Sequence, residues 1–496
     1  MTATTRRAQN GRAWAGVLWI GVLSGGLYAA VAVSQRAIQI DPRHGVLGSV
    51  PLRLGVYLVA TVGLFALYVV LLSRTHALRT RRMRLIAIGF PLLFNVLFVL
   101  VPPSFSIDVL SYVSHGYIRS ALDGNPYLTA SSAVAATSLG PELASYRWRP
   151  VHPVSPYGPV WTHIETGTVS LLGNVRAEIL AFKAVAFIFS MGSASLIWLF
   201  LGRVRPEYQV VGTLAYLWNP LIVVELAGEG HNEAIVVFFV LLALVLTVQR
   251  RWGTAIGAMS VGVLTKYLPL LFAPLQAAYM WRWRRYGSRF ALRVVLGVAV
   301  GIGLLIALFA PLWAGPETLR GILLTGQPGN TGSTPTLLLA LLSRAVPPDL
   351  ARVVVYLVLI GVLAAYLILQ AKLVRDTGDL ARACARVSVV YVLFITPSYW
   401  PWYAVLPVAL LALMPRGGAL EVLVALSLGA RFVAPLDVMY VQGHVGRPAY
   451  LLLTWGFALG PPIVLLTLGR LGGWQRRGAG KEPERVGRLE HLPPER

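Results

Sequence analysis

The residues best able to do chemistry in this 496-residue chain lie in one polar stretch, 104–163, wedged between hydrophobic runs. It opens Ser104-Phe-Ser-Ile-Asp108-Val-Leu-Ser-Tyr112 and passes Arg119, Asp123-Gly-Asn125-Pro-Tyr127, Tyr146-Arg147-Trp148-Arg149 and His152. It closes on Ser155-Pro-Tyr157-Gly-Pro159-Val-Trp161. A carboxylate such as Asp108 can take a proton from a hydroxyl nucleophile. Arg147 and Arg149 can hold an anionic group, and Tyr112, Tyr157 and Trp161 offer ring faces and polar tips. Such a set suits a charged, partly lipidic substrate at a membrane face better than simple linkage. The plainer alternative is a long inter-helix loop in which Asp108 caps the following helix.

Four other stretches fall on the same side of the membrane by the topology given below. They are Trp218-Asn219-Pro220 through Glu225 to Gly228-Glu229-Gly230-His231-Asn232-Glu233, the turn at Lys266, the segment 315–349 with Gln327-Pro-Gly-Asn330 and Ser333, and Pro397-Ser-Tyr399-Trp400-Pro-Trp402-Tyr403. An ionisable side chain at the centre of a membrane helix costs about 3 kcal/mol, so clustering on one side argues for a wet site there. Lys266, held between Leu264 and Leu268, calls for an anionic partner, and phosphate is a good one. Glu229-x-His231-x-Glu233 admits a divalent metal, but its spacing is weak for ligands on a helix, so no metal or other cofactor is expected. The same three residues could also be a solvated first turn of a helix, and Trp400, Trp402 and Tyr403 an interfacial aromatic belt.

The elements that must position these groups are membrane helices. The chain is 56% hydrophobic and 13% charged, with a mean hydropathy of +0.67, more apolar surface than one soluble core can hide. A net charge of +23 and pI near 10.6 could suggest nucleic acid. The arginines, however, cluster in short loops between apolar runs, where they set orientation and meet anionic headgroups; no nucleic-acid partner is expected. A single cysteine, Cys384, excludes an intrachain disulfide framework.

Arg6-Arg7 and Arg12 precede a first span at 13–33, read as a retained anchor with a cytoplasmic N-terminus. Spans at 52–72 and 85–101 flank the most basic loop, Arg74 to Arg84, which puts Asp108 outside. Further spans are expected at 180–201, 210–227 and 234–248. A pair of short arms follows over 252–283, with Lys266 near its outer turn, and then spans at 292–313, 353–373, 387–396, 403–414, 420–432 and 451–468. The expectation is an all-α polytopic membrane protein of about fourteen transmembrane helices, some short, forming one domain over 1–471 with both termini cytoplasmic. A charged, Gly- and Pro-containing tail, 472–496, is expected to be disordered. No internal repeat is evident.

Asp108, Tyr112, Gly116, Asn125-Pro-Tyr127, Ser155-Pro-Tyr157-Gly-Pro159, Asn219-Pro220, Gly230-His231-Asn232 and Lys266, taken in order and with their sidedness, resemble the membrane glycosyltransferases of the GT-C class. In particular they resemble the bacterial polyprenol-phosphomannose-dependent alpha-1,6-mannosyltransferase family, over about 104–403. The acid here is solitary and follows the third span. The resemblance implies an inverting transferase of the bacterial plasma membrane. Its partners would be a polyprenyl-phosphate sugar donor, with mannose as the sugar, a glycan or glycolipid acceptor on the extracytoplasmic face, and membrane lipids.

In that frame Asp108 is the general base, and Lys266, Arg147 and Arg149 hold the donor phosphate. Tyr112, Tyr157, Trp161, His231, Asn232, Glu233 and Trp402 contact sugar or acceptor. Fixed cations help because charge grows on the departing phosphate. The rival reading is a transporter or flippase of a lipid-linked or amphipathic substrate, with His231 and Glu233 as a proton relay.

Overall fold

The computed structural model describes residues 3–40, 50–78, 80–150, 154–286, 289–321, 331–416 and 418–468. His152, the 327–330 stretch and the expected tail 472–496 lie outside them. The described residues fold into helices and connecting turns, with no strand among them. Seven helices are long and apolar enough to cross a bilayer: Trp14–Arg36, Leu52–Ser73, Arg81–Leu100, Val175–Val204, Phe290–Leu312, Pro348–Leu373 and Gly418–Val441. Two bent pairs raise the number to nine, Pro206–Leu217 with Pro220–Gly228 and Arg447–Ala458 with Gly460–Thr467. This is an all-α polytopic membrane protein. The expected count of about fourteen is not reached by these among the described residues. Glu233–Val248, Trp252–Thr265 and Pro401–Leu411 are shorter apolar helices. The expected 387–396 span is instead the end of helix Thr377–Val390 plus a π-helical turn, Tyr391–Ile395.

The polar stretch 104–163 is not an open loop. It contains the helix Asp108–Ser120, the short helices Ser132–Ala135 and Leu139–Ser145, and the start of Pro159–Leu172. Alternation of apolar and small polar residues makes Asp108–Ser120 amphipathic. Its buried face packs Val109, Tyr112 and Val113 against Trp161, Ile179 and Phe182 in a core separate from the main one. Helix Val175–Val204 begins where the Asn174 side chain accepts from the Ala177 N–H at 3.1 Å.

One of the two bent membrane pairs breaks at the site. Asn219 caps the Leu221 N–H at 2.9 Å and donates to Ser427 Oγ at 2.8 Å, while Pro220 has no N–H to continue the preceding helix. The next turn, Val223–Gly228, is π-helical and is followed by Gly230, whose φ of 77° is in the left-handed region. This break delivers Glu225, Glu229, His231 and Glu233 to one end of the bundle. The second π-helical turn, Tyr391–Ile395, does the same for the Pro397–Tyr403 segment. Irregular backbone at membrane depth persists only where protein or a wet cavity covers it.

Candidate active site

Asp108 is the first residue of its helix and is 9% exposed. Three partners surround it. Its own N–H donates to Ser106 Oγ at 3.1 Å, Tyr157 Oη donates to Oδ2 at 3.3 Å, and His231 Nδ1 lies 3.6 Å from the same oxygen. Burial, then the charge of Asp108, push the Tyr157 phenol well above its ordinary pKa, so it remains a donor.

On its other side the imidazole meets Glu225, with Nε2 3.3 Å from Oε2. Glu225 is paired with Arg431, which also donates to Tyr57 Oη at 2.7 Å. Asp108, His231, Glu225 and Arg431 thus form a buried chain of alternating charge, closed on one flank by Trp402 stacked on the imidazole at 4.1 Å. Burial alone lowers the proton affinity of His231. Glu225, Asp108 and Glu233 more than offset that, so its pKa stands above the ordinary histidine value.

Lys266 stands at the end of helix Trp252–Thr265, where the chain turns into Leu268–Phe272 and the short arm Ala273–Arg282. Its ammonium pairs with Glu233 and lies 5.7 Å from the ring centre of Tyr157 and 5.5 Å from that of Tyr403. Tyr157 therefore touches both groups, its hydroxyl on Asp108 and its ring face toward Lys266. With side-chain exposures of 24% for Lys266 and 12% for Asp108, both reach the surface.

The Ser155-Pro-Tyr157-Gly-Pro159 segment enforces this arrangement. The Gly158 N–H donates to Thr265 O at 3.0 Å, and a Cβ on Gly158 would stand 2.1 Å from Leu264 O. Only glycine lets the segment lie this close to the residue before Lys266. Asn125-Pro-Tyr127 is also structural. The Asn125 amide donates to Leu312 O at 2.7 Å, and its carbonyl accepts from the Tyr127 N–H at 3.0 Å.

Of the other expected residues, Tyr112 and Trp161 are fully buried, their ring centres 4.8 Å apart; they brace the Asp108 helix. Asn232 is 1% exposed, and its amide nitrogen and oxygen have no hydrogen-bond partner among the described residues. Arg147 and Arg149 are exposed on either side of buried Trp148, and Arg149 lies within electrostatic reach of Asp437. The members of Glu229-x-His231-x-Glu233 face different partners. The Glu229 carboxylate accepts the N–H groups of Ser104, Phe105 and Ser106 at 3.0–3.3 Å, fixing the approach to Asp108. Among the described residues, no group of three or more His, Cys, Asp or Glu is arranged to hold a metal.

Sequence reasoning did not single out Arg431, Tyr57 or Lys183. Lys183, fully buried, donates to Phe98 O at 2.8 Å and to Val101 O, closing the end of helix Arg81–Leu100. The signal was there: Lys183 and Arg431 sit inside apolar runs, where a cation needs a partner.

Residues 13–282, more than half of the chain, match the family described as "Alpha-(1->6)-mannopyranosyltransferase, N-terminal domain". The chain belongs to this family. Among curated relatives of the mannopyranosyltransferase family, it is similar to "Alpha-(1->6)-mannopyranosyltransferase A" of Corynebacterium glutamicum, 29% identical over 38% of this chain and 36% of that protein. It is also similar to the protein of that name from Mycobacterium tuberculosis, 28% identical over 40% of this chain and 35% of the relative. The alignments thus span about a third of each relative's length. Asp108, Tyr157, Glu225, His231, Glu233 and Lys266 lie in the family-matched part, whereas Trp402 and Arg431 close the site from beyond it.

Proposed function

We propose that this chain is a mannosyltransferase that takes mannose from a polyprenyl monophosphate and passes it, with inversion, to a glycan or glycolipid hydroxyl on the extracytoplasmic face. The observation that supports the reading is that Asp108 and Lys266 both meet Tyr157, Asp108 at its hydroxyl (3.3 Å) and Lys266 over its ring face (5.7 Å from the ring centre). In one displacement, the acceptor oxygen forms a bond to the anomeric carbon as that carbon's bond to the phosphate oxygen breaks. Asp108 takes the acceptor's proton, a contribution of roughly 10²- to 10⁴-fold. Lys266 faces the leaving phosphate, where negative charge grows, and so stabilises the transition state more than the ground state. For this, phosphate displaces or joins Glu233 at the ammonium.

His231 orients Asp108, and the Glu225–Arg431 pair holds His231. The prenyl chain has apolar surface at hand. Helices Phe290–Phe309 and Pro348–Leu373 flank the two arms around Lys266 and are the least buried of the long helices, 6% and 17% of their most apolar stretches against 56% for Gly418–Val441. The arginines at the opposite end support an extracytoplasmic site.

The test is purified protein in vesicles given a panel of polyprenyl-phosphate sugars and a glycan acceptor. Mannose transfer, with the product's anomeric configuration opposite to the donor's, is expected. Movement of the lipid across the bilayer without sugar transfer favours a flippase and overturns the proposal.

A further inference from the structure

Helices Asp108–Ser120 and Pro159–Leu172 run side by side in the same direction. Tyr112 packs on Tyr157 and Trp161, Gly116 lies against Glu165 and Val169, and His115 Nδ1 is 3.4 Å from Glu165 Oε1 in a fully buried contact. At their far ends they open on a cavity of about 340 Å³, lined among others by Tyr117, Ser120, Glu142, Ser170, Asn174 and Glu178. Tyr117 is nine residues along the helix from Asp108, about 14 Å away at 1.5 Å per residue.

The cavity lies above the bilayer. Helix Val175–Val204 has 30 residues, about 45 Å of length against the ~30 Å of a hydrocarbon core. Lys183 meets the end of membrane helix Arg81–Leu100, and Glu178 lies more than one turn beyond it.

We propose that this cavity is a subsite for the distal sugars of an uncharged oligosaccharide acceptor; the inference rests on Asp108 being the reacting end. The lining fits that class. The Glu142 and Glu178 carboxylates accept hydrogen bonds from vicinal hydroxyls, Ser120, Ser170 and Asn174 give and accept them, and the Tyr117 ring offers a face for a pyranose. Glu178 is 3% exposed, its carboxyl bonded to the Asn174 backbone. Gly173, with φ of 57°, leaves open space where a side chain would stand. With two carboxyl groups and no cation among its lining residues, the cavity disfavours an anionic glycan. The packed helices hold this cavity at a fixed spacing of about 14 Å from Asp108, so acceptor length is read at that distance from the chemistry.

The test measures binding of an uncharged α-1,6-linked manno-oligosaccharide to the full-length detergent-solubilised protein, without donor. Ala121→Trp fills the cavity from an exposed position beyond the helix end, and the double variant Glu142→Gln/Glu178→Gln removes its charge without changing its shape. Wild type is expected to bind the long glycan, and both variants to bind it at least about tenfold more weakly, with transfer to a disaccharide unchanged. A wild type that binds no long glycan, variants that bind it as wild type does, or a cavity taking a polyamine in its place, each overturns the proposal. Because no donor is present, failure of the transferase reading shows separately, in the turnover assay.

Discussion

The cations at the two ends of the helical bundle are similar residues in opposite circumstances. At the arginine-rich end, Arg82 rests on Trp14 at 6.0 Å, Arg250 on Trp283 at 5.3 Å and Arg284 on Trp281 at 4.2 Å, all at least partly exposed. Around Asp108, Lys183 and Arg431 are buried and Lys266 half-buried, bonded to carbonyl oxygens, Glu225 and Glu233. Cations of the first kind are the sort that orient a membrane protein and meet headgroups. In the second, Arg431 and Lys266 are held against carboxylates and Lys183 against backbone carbonyls in a buried or half-buried setting, where electrostatic effects are large. Charge alone does not separate the two ends; the partners do.

Predictions that break or sharpen this contrast run from large to small. Arg431→Ala takes the guanidinium partner from buried Glu225 and leaves it only His231, and is expected to cost about 3 kcal/mol in denaturant unfolding; a loss below 1 kcal/mol would make the pair dispensable. Gly158→Ala forces the Tyr157 segment off Leu264 and so shifts Tyr157 relative to Lys266 and Asp108. Turnover is expected to fall about 100-fold while the fold persists, and unchanged turnover would remove the segment from the site's geometry.

His231 carries a raised pKa, so its protonated form is stabilised by the fold. That contribution is complete below the unfolded value and lost as pH rises through the folded one. The pH–rate profile is therefore expected to show an alkaline limb that His231→Gln abolishes; an unaltered limb assigns it elsewhere. Arg82→Ala, at the other end, is expected to change stability by less than about 0.5 kcal/mol and turnover not at all.

The membrane class and the neighbourhood of Asp108 and Lys266 could be read from the sequence, because an ionisable residue beside an apolar run declares itself. The helix breaks could not. That 387–396 ends in a π-helical turn has no local signal, and the Asn219-Pro220 break, local in its cap and missing N–H, was masked by the hydrophobic run around it. Asn125-Pro-Tyr127 stood out only through the family resemblance, and its bond to Leu312 O could not be read from the sequence, since that backbone comes close only in the folded chain. Arg431 and Lys183 were hidden by counting hydrophobic windows, which average away a single charge.

The account turns on a division of labour between Asp108 and Lys266, and measuring polyprenyl-phosphomannose binding and single-turnover transfer side by side for Asp108→Asn and Lys266→Met tests it most directly. The account predicts that Asp108→Asn binds donor as wild type does and transfers nothing, while Lys266→Met loses donor affinity. Wild-type transfer by Asp108→Asn, or unchanged donor binding by Lys266→Met, contradicts it.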